Sequence, residues 1–581
     1  MFIRTIKVPS SDGTVHEYVR IVEAFRENGK AKQRTITNLG RKDILASLLP
    51  QLERVLKGQP RIEGESEEVE VLEALTWGPM LVIRTLFEQL GLWELFDDLL
   101  GASKRHGSYA DRAMVLLANR LICPKSEHGL ACWLETDFVC DRQGCRFIPR
   151  WHRRGRVQVH HQQLEAWYRT LDRLVRAKSE IEVALYQRLR DLFSLRPDLV
   201  FYDITSTYFE GAGPANLAKH GYSRDGKSQN VQAVVGLVLV NGWPIAHHVW
   251  EGNRVDSTTV QEVVRDLLER FSFGRVIFVG DRGMVSEDNL EALKQDGHGY
   301  VVGLKRRRNA ELDGWLQQLD ENAWVDCPVG INAQEKTVPP RTRVQEVAKD
   351  EADRRVYVID SEERRAFEQS KREQAMERTR EKLLSVQRRV REGKLIKATA
   401  IGAAAERALR AHKGYRYFDW RLRDGEFEFF EHPVHLPREQ RLEGRYVIAT
   451  SETTMDAVTA VQTYKELMEV ERSFRNLKDV LALRPIYHQT PERTRAHVFV
   501  AALALLLQRL LERRLQEAGV ELSAEQAMEA VQTIRYVTFR LEDQQKNGVS
   551  LASGRAQQVT RALGISNLRP PTPPQGDETV M

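Results

Sequence analysis

Three features predict an α/β fold. Residues 199–204 form a short apolar strand carrying one aspartate, and residues 231–240 are almost unbroken apolar. Between them and residue 304, strand-like and helix-like hydrophobic periods alternate. Bulk composition fits: the 581 residues are 42% hydrophobic and 29% charged, as in globular proteins rather than disordered or membrane chains. The longest apolar run, residues 498–507, is half of a bilayer span and reads as a buried helix, so membrane insertion is not expected. No apolar segment follows the N-terminal Met-Phe-Ile-Arg-Thr-Ile-Lys, and a cytoplasmic protein is expected. A net charge of +5 over this length decides nothing by itself, because nucleic-acid binding depends on local patches.

The elements follow in chain order. Residues 18–25 and 32–38 alternate around Glu27-Asn28-Gly29-Lys30, a hairpin whose strands carry Arg20, Arg26, Lys30, Lys32 and Arg34. Residues 1–65 are therefore a hairpin and helix with a basic, possible DNA-binding ribbon, solvated charge being the competing reading. After an acidic linker at residues 64–68, three-four apolar spacing makes residues 66–195 a helical domain. Cys140 and Cys145, with His152, His160 and His161 beyond, have donor types that zinc uses. Their loose spacing favours reduced thiols instead.

From Pro197 the pattern changes. Strands at residues 199–204, 231–240 and 245–250, the second stopping at the turn Asn241-Gly242, precede a helix at 258–271. A strand at 276–280, a helix at 287–295 and a strand at 300–304 follow. Three strands, helix, strand, helix, strand is the order of a ribonuclease-H-like mixed sheet, so residues 196–304 are the first part of such a core. Residues 305–450 then read as a mainly β insertion domain holding a long charged helical stretch, 362–413. Residues 451–520 complete the core, with one helix over 455–481 and another over 495–518. Residues 521–581 form a C-terminal helical region whose Pro-rich tail past Arg569 is expected to be disordered.

The candidate chemistry lies at the strand ends. Asp203 sits among large apolar residues, where an unpaired charge costs several kcal/mol, roughly, so it must be hydrogen-bonded, paired or metal-bound. The competing reading is a strand-capping Asp. Asp281 follows another buried strand at its carboxyl end, where ligands gather in α/β sheets, between Gly280 and Gly283. Tyr464, Glu471 and Lys478 are spaced by sevens, and on one continuous helix a seven-residue step drifts by only about 20°, which aligns them, with Arg475 extending the stripe. A solvated face with ordinary charge pairs is the alternative for that stripe taken alone. Asp256 is a candidate for orienting the site or for N-capping the next helix. Lys305, Arg306 and Arg307 leave the last core strand as a basic run suited to phosphates. His488 and His497 read as packing or phosphate contacts, and Trp420 as a core aromatic or a platform for a flipped base.

The runs YDITSTYFEG, GNRVDSTT, VGDRGMVSEDNL and YKELMEVERSFRNLK resemble the signature blocks of DDE transposases of bacterial insertion sequences. They are most similar to the insertion-sequence-four-like group, whose last block reads Tyr, two residues, Arg, three residues, Glu, six residues, Lys. Leu467 stands where that Arg is expected.

The resemblance implies Asp203, Asp281 and Glu471 as a catalytic, metal-holding triad, with Tyr464, Arg475 and Lys478 toward DNA. Oxygen donors without Cys or His favour Mg²⁺ or Mn²⁺, two ions per active site. It also implies cleavage at terminal inverted repeats, strand transfer into target DNA and a homodimer on double-stranded DNA, at the nucleoid when bound. The alternatives are a nuclease of the same fold without strand transfer, or an inactive DNA-binding relative.

Overall fold

The computed structural model describes residues 2–9, 15–27, 30–45, 49, 52, 69–102, 108–148, 152–154, 157–159, 161–195, 198–281, 283–284, 286–304, 311–328, 341–349, 354–541, 544–574 and 579–580. Its chain divides into two compact units. One comprises residues 1–196, 204–254 and 470–581; the other comprises residues 197–203 and 255–469. The strand Leu199–Tyr208 passes from the second unit into the first between Asp203 and Ile204.

The second unit holds a mixed sheet. Its order is Leu199–Tyr208, Ile277–Gly280, Gly299–Gly303, Arg445–Thr450, Arg355–Ser361, Thr342–Lys349 and Val325–Cys327. The first three strands are parallel neighbours and the rest pair antiparallel. Parallel strands need crossovers, and the helices Val260–Phe271 and Glu287–Gln295 supply them between successive strands. Val279, Val301, Val358 and Ile359 are fully buried, which explains why these strands read as apolar runs without alternation.

The expected β insertion is distributed differently. Its strands Thr342–Lys349, Arg355–Ser361 and Arg445–Thr450 extend the core sheet instead of forming a separate β layer. The part with its own core is largely helical: Glu362–Arg391, Ala398–Ala411 and His435–Leu442 pack with the hairpin Phe418–Arg423/Glu426–Glu431 around Met376, Leu383, Ile401, Leu409, Phe418 and Phe427. The sequence expectation failed because buried strands look alike whether they start a new sheet or widen an old one. Lys305, Arg306 and Arg307 lie outside the described residues.

In the first unit, Gln232–Val240 is buried along its whole length and pairs with Trp243–Glu251. Their turn is Asn241-Gly242 with φ of 49° and 80°, the two positive values of a tight hairpin turn that these residue types tolerate. The N-terminal hairpin exists and gains a third strand, Phe2–Pro9, paired with Val15–Glu27. Its basic ribbon is partly neutralised on the spot, since Arg34 pairs with Glu23 at 2.7 Å.

Two further expectations change in this unit. Val69–Thr76 begins the helical domain as a strand, not a helix, and pairs with Arg535–Leu541. The tail past Arg569 is packed in part: a Cβ on Gly144 would lie 2.1 Å from the Pro571 carbonyl oxygen, and Thr579–Val580 pairs with Arg146–Phe147. The helix Pro491–Glu517 is long and apolar enough to cross a membrane, but its most apolar stretch is 89% buried in the protein, as a core helix would be.

Candidate active site

Two of the expected carboxylates are set by strand register. Ile277, Phe278 and Val279 stand opposite Leu199, Val200 and Phe201 in a parallel ladder. Two residues further on each chain, the same register brings Asp281 opposite Asp203. Side chains alternate along a strand, so Asp203 shares the face of Phe201 and Asp281 that of Val279, on neighbours spaced about 4.8 Å apart. Both are partly exposed at the carboxyl edge of the sheet, while Tyr202 and Val279 beneath are buried.

The next strand completes the row. Gly280 stands opposite Val302, which sets Asp281 beside Gly303. A phenol occupies the room that this glycine leaves: the Tyr464 hydroxyl donates to Asp281 Oδ1 at 3.2 Å. A Cβ on Gly303 would lie 2.4 Å from that hydroxyl oxygen and 3.1 Å from Cζ, so Gly is required there while Tyr464 holds its place. Burial, then the Asp281 charge, pushes the Tyr464 phenol above its ordinary pKa, so it stays a proton donor through the neutral range. Tyr464, expected at DNA, is thus committed to a carboxylate.

Asp256 also comes close. Its Oδ2 is 3.3 Å from where a Cβ of Gly283, two residues past Asp281, would stand. Asp256 opens the short 3-10 turn Asp256–Thr258, and Thr259 takes the N-cap position of Val260–Phe271, so Asp256 does not cap that helix. Thr259 Oγ1 donates to the Asp256 carbonyl at 2.7 Å and accepts from the buried Tyr202 hydroxyl at 2.8 Å. Tyr202 neighbours Asp203 in sequence and faces the other side of the sheet.

The helix expected over residues 455–481 is three pieces. Ala457–Lys465 ends before a turn at Glu466 and Leu467, Met468–Arg475 follows, and Asn476–Val480 widens into a π turn. The one-face alignment of Tyr464, Glu471 and Lys478 therefore does not hold, because each interruption rotates what comes after it. Leu467 is buried, which accounts for an apolar residue where an Arg would reach a phosphate.

Glu471 and Arg475 are exposed on Met468–Arg475, whose Val470, Ser473 and Phe474 are buried. That helix crosses from one unit into the other at Val470. Lys478 is not a free cation: it donates to Asp225 at 2.8 Å with both side chains at most 10% exposed, and Arg484 contacts the same carboxylate. Burial lowers the Lys478 pKa against the opposing pull of Asp225. Sequence reasoning missed Asp225, Gly303 and Tyr202. Only Gly303 had a signal, as a glycine closing the strand after the one that presents Asp281.

Among the described residues, Glu127, His488 and His497 form a group with ligand-type atoms within 4.8 Å of one another. Both His497 nitrogens are already engaged, Nδ1 with Arg120 at 3.0 Å and Nε2 with the Leu483 carbonyl at 3.1 Å. Burial, then the Arg120 charge, holds His497 far below its usual pKa, and the group reads as packing rather than a metal centre. Trp420 stacks on Phe427 and packs against Gly402, as a core aromatic does. Cys140 and Cys145 are buried thiols outside any disulfide, the Cys140 pKa pushed up to about 12 by burial. The side chains of His152, His160 and His161 lie outside the described residues.

Residues 196–507 match the family described as Transposase DDE domain, and residues 3–69 match the one described as IS1634 family transposase, N-terminal domain. No curated protein matches the chain. Among solved structures, a piggyBac transposase in a synaptic complex with hairpin DNA is similar at 8% identity and a TM-score of 0.34, over 78% of this chain and 79% of that one.

Proposed function

Because the chain belongs to the DDE transposase family, with an IS1634-type N-terminal domain, and is therefore a DNA-cutting and DNA-joining enzyme, we propose that Asp203, Asp281 and Glu471 are its acidic triad on a ribonuclease-H-like core. The observation that carries this reading is the shared register of Asp203 and Asp281 on adjacent parallel strands, with the Tyr464 hydroxyl on Asp281. Partly exposed carboxylates side by side repel unless a cation lies between them.

The donor set fits hard divalent cations. Asp203, Asp281 and Glu471 offer carboxylate oxygens alone, a donor set that suits Mg²⁺ or Mn²⁺ over zinc. Bound there, two such ions would supply activation of water or a 3′-hydroxyl and neutralise charge on the phosphoryl group under attack. Asp203, Asp281 and Glu471 would hold them. Tyr464 fixes which Asp281 oxygen faces inward by donating to the other. Asp256, tied through Thr259 to Tyr202, brings its carboxylate beside Gly283, two residues past Asp281. Exposed Arg475 is left to meet phosphates.

The reaction in this reading is cleavage at terminal inverted repeats and strand transfer into target double-stranded DNA. A homodimer holds the two ends, in the cytoplasm at the nucleoid. The test uses element-end duplex with Mg²⁺, separating cleaved from joined products. Asp203→Ala should abolish both products and keep DNA binding; undiminished cleavage by that variant rejects the triad. Cleavage by the wild type with no joined product at any metal concentration rejects strand transfer.

A further inference from the structure

The long helix Glu362–Arg391 buries Met376, Thr379, Leu383 and Val386. At 3.6 residues per turn, Lys371, Arg378, Lys382 and Arg389 fall within roughly 40° of one another, about 100° round from that buried face. All four are exposed. With a rise of 1.5 Å per residue the row is about 27 Å long. Between its cations this flank carries Ala375 and Ser385 and no carboxylate.

Four other cations of the helix, Arg364, Arg365, Arg372 and Arg380, are paired, whereas Arg388 and Arg391 in its last turn make no ion pair among the described residues. Arg372 pairs with Glu443 at 2.6 Å, Arg364 with Glu368 at 3.1 Å, and Arg380 with Glu431 at 3.5 Å. The side chains of Arg378, Lys382 and Arg389 form no ion pair or hydrogen bond among the described residues, and Lys371 lies over the Phe367 ring at 5.5 Å. Arg389 is in the last turn, where the helix dipole favours a cation, but the other three are not, and Arg378 and Lys382 repel at i, i+4. A solvated helix face mixes signs; this flank holds one sign along its length.

We propose that this flank is a docking strip for the phosphate backbone of duplex DNA, separate from the strand-end carboxylates. It rests on DNA being the substrate and adds where on the inserted helices the duplex lies. Its length matches about eight phosphates of axial rise along one strand at 3.4 Å each. Phosphate contacts fix the position of the duplex without reading its sequence, so the strip suits target DNA as well as element ends.

Salt-dependent binding tests this. The probe is a random-sequence 40-base-pair duplex, titrated with the full-length protein at several salt concentrations. A variant with Lys371→Gln, Arg378→Gln, Lys382→Gln and Arg389→Gln should lower the slope of log affinity against log salt by roughly 3 to 4, since each phosphate contact contributes about 0.9. Exchanging Lys and Arg at the same four positions keeps the charge and should keep the slope. Circular dichroism and thermal midpoint of both variants show whether the helix is intact. A wild-type slope in the folded Gln variant overturns the strip. An equal loss in the charge-keeping variant overturns it too, because shape and not charge would then matter. Wild-type binding in the same titration tests the DNA premise on its own.

Discussion

The two ends of the proposed acidic site are built by different kinds of structure. Asp203 and Asp281 are fixed by a ladder in which each residue's partner follows from the last, and a slip of one residue would turn one strand's side chains to the opposite face and part the two carboxylates. Glu471 is carried by a short helix between two interruptions, the turn at Glu466 and Leu467 and the π turn Asn476–Val480. At the first break, the Leu467 amide bonds the Tyr464 carbonyl three residues back, and the Glu469 amide does the same to Glu466. Sheet register thus survives as an argument from local pattern, whereas heptad spacing places side chains on one face only while the helix is continuous.

The sharpest way to break that comparison is to ask which glutamate matters. Glu469 ends the segment that belongs with Asp203 and Asp281, and Glu471 lies two residues on in the other unit. Glu471→Ala should reduce cleavage on the order of 10²- to 10³-fold, as expected when charge stabilisation at the reacting group is lost. Glu469→Ala should stay within about 3-fold, the size of an ordinary surface change. Steady-state cleavage of end-bearing duplex in Mg²⁺ measures both, and the reverse ranking would move the third carboxylate to Glu469.

The strand side predicts a smaller, coupled effect. Gly303→Ala sets a methyl against the Tyr464 hydroxyl and should destabilise the fold by about 1–3 kcal/mol while slowing cleavage. Adding Tyr464→Phe removes the nearest atom, so the double variant should recover part of that stability. A double-mutant cycle in urea reads the coupling, and strictly additive losses would mean that ring and glycine do not meet. Tyr464→Phe by itself should leave the thermal midpoint nearly unchanged. It should raise the Mg²⁺ concentration for half-maximal cleavage roughly 10-fold, the lower end of what losing a ligand's hydrogen-bond partner costs. An unaltered metal titration would reduce Tyr464 to packing.

What the sequence discloses follows the same division. The hairpin at Asn241-Gly242, the helix Glu287–Gln295 and the strand Arg445–Thr450 are readable because turn chemistry and hydrophobic period are local. The pairing of Val69–Thr76 with Arg535–Leu541 is not, since it joins chain ends more than 450 residues apart. Among site residues, Asp203 and Asp281 announce themselves as charges in apolar strands. The commitment of Tyr464 to Asp281 and of Lys478 to Asp225 has no local signal, because each partner lies far away in sequence.

Lys478 gives the smallest effect and the most direct test of the helix side. A cation that holds DNA should affect affinity and not stability; one buried on Asp225 should do the opposite. The second outcome is expected, because Lys478 and Asp225 are both nearly covered and Arg484 shares the carboxylate. Lys478→Met keeps the length of the stem and removes the charge. It should cost about 1–2 kcal/mol, less than breaking an isolated buried pair, since Arg484 still compensates Asp225. Duplex affinity at fixed salt should change less than about 2-fold, and the salt slope should be unaltered, because a phosphate contact would shift it by about 0.9. A slope lowered by that amount with unchanged urea stability would mean that Asp225 gives up Lys478 when DNA binds.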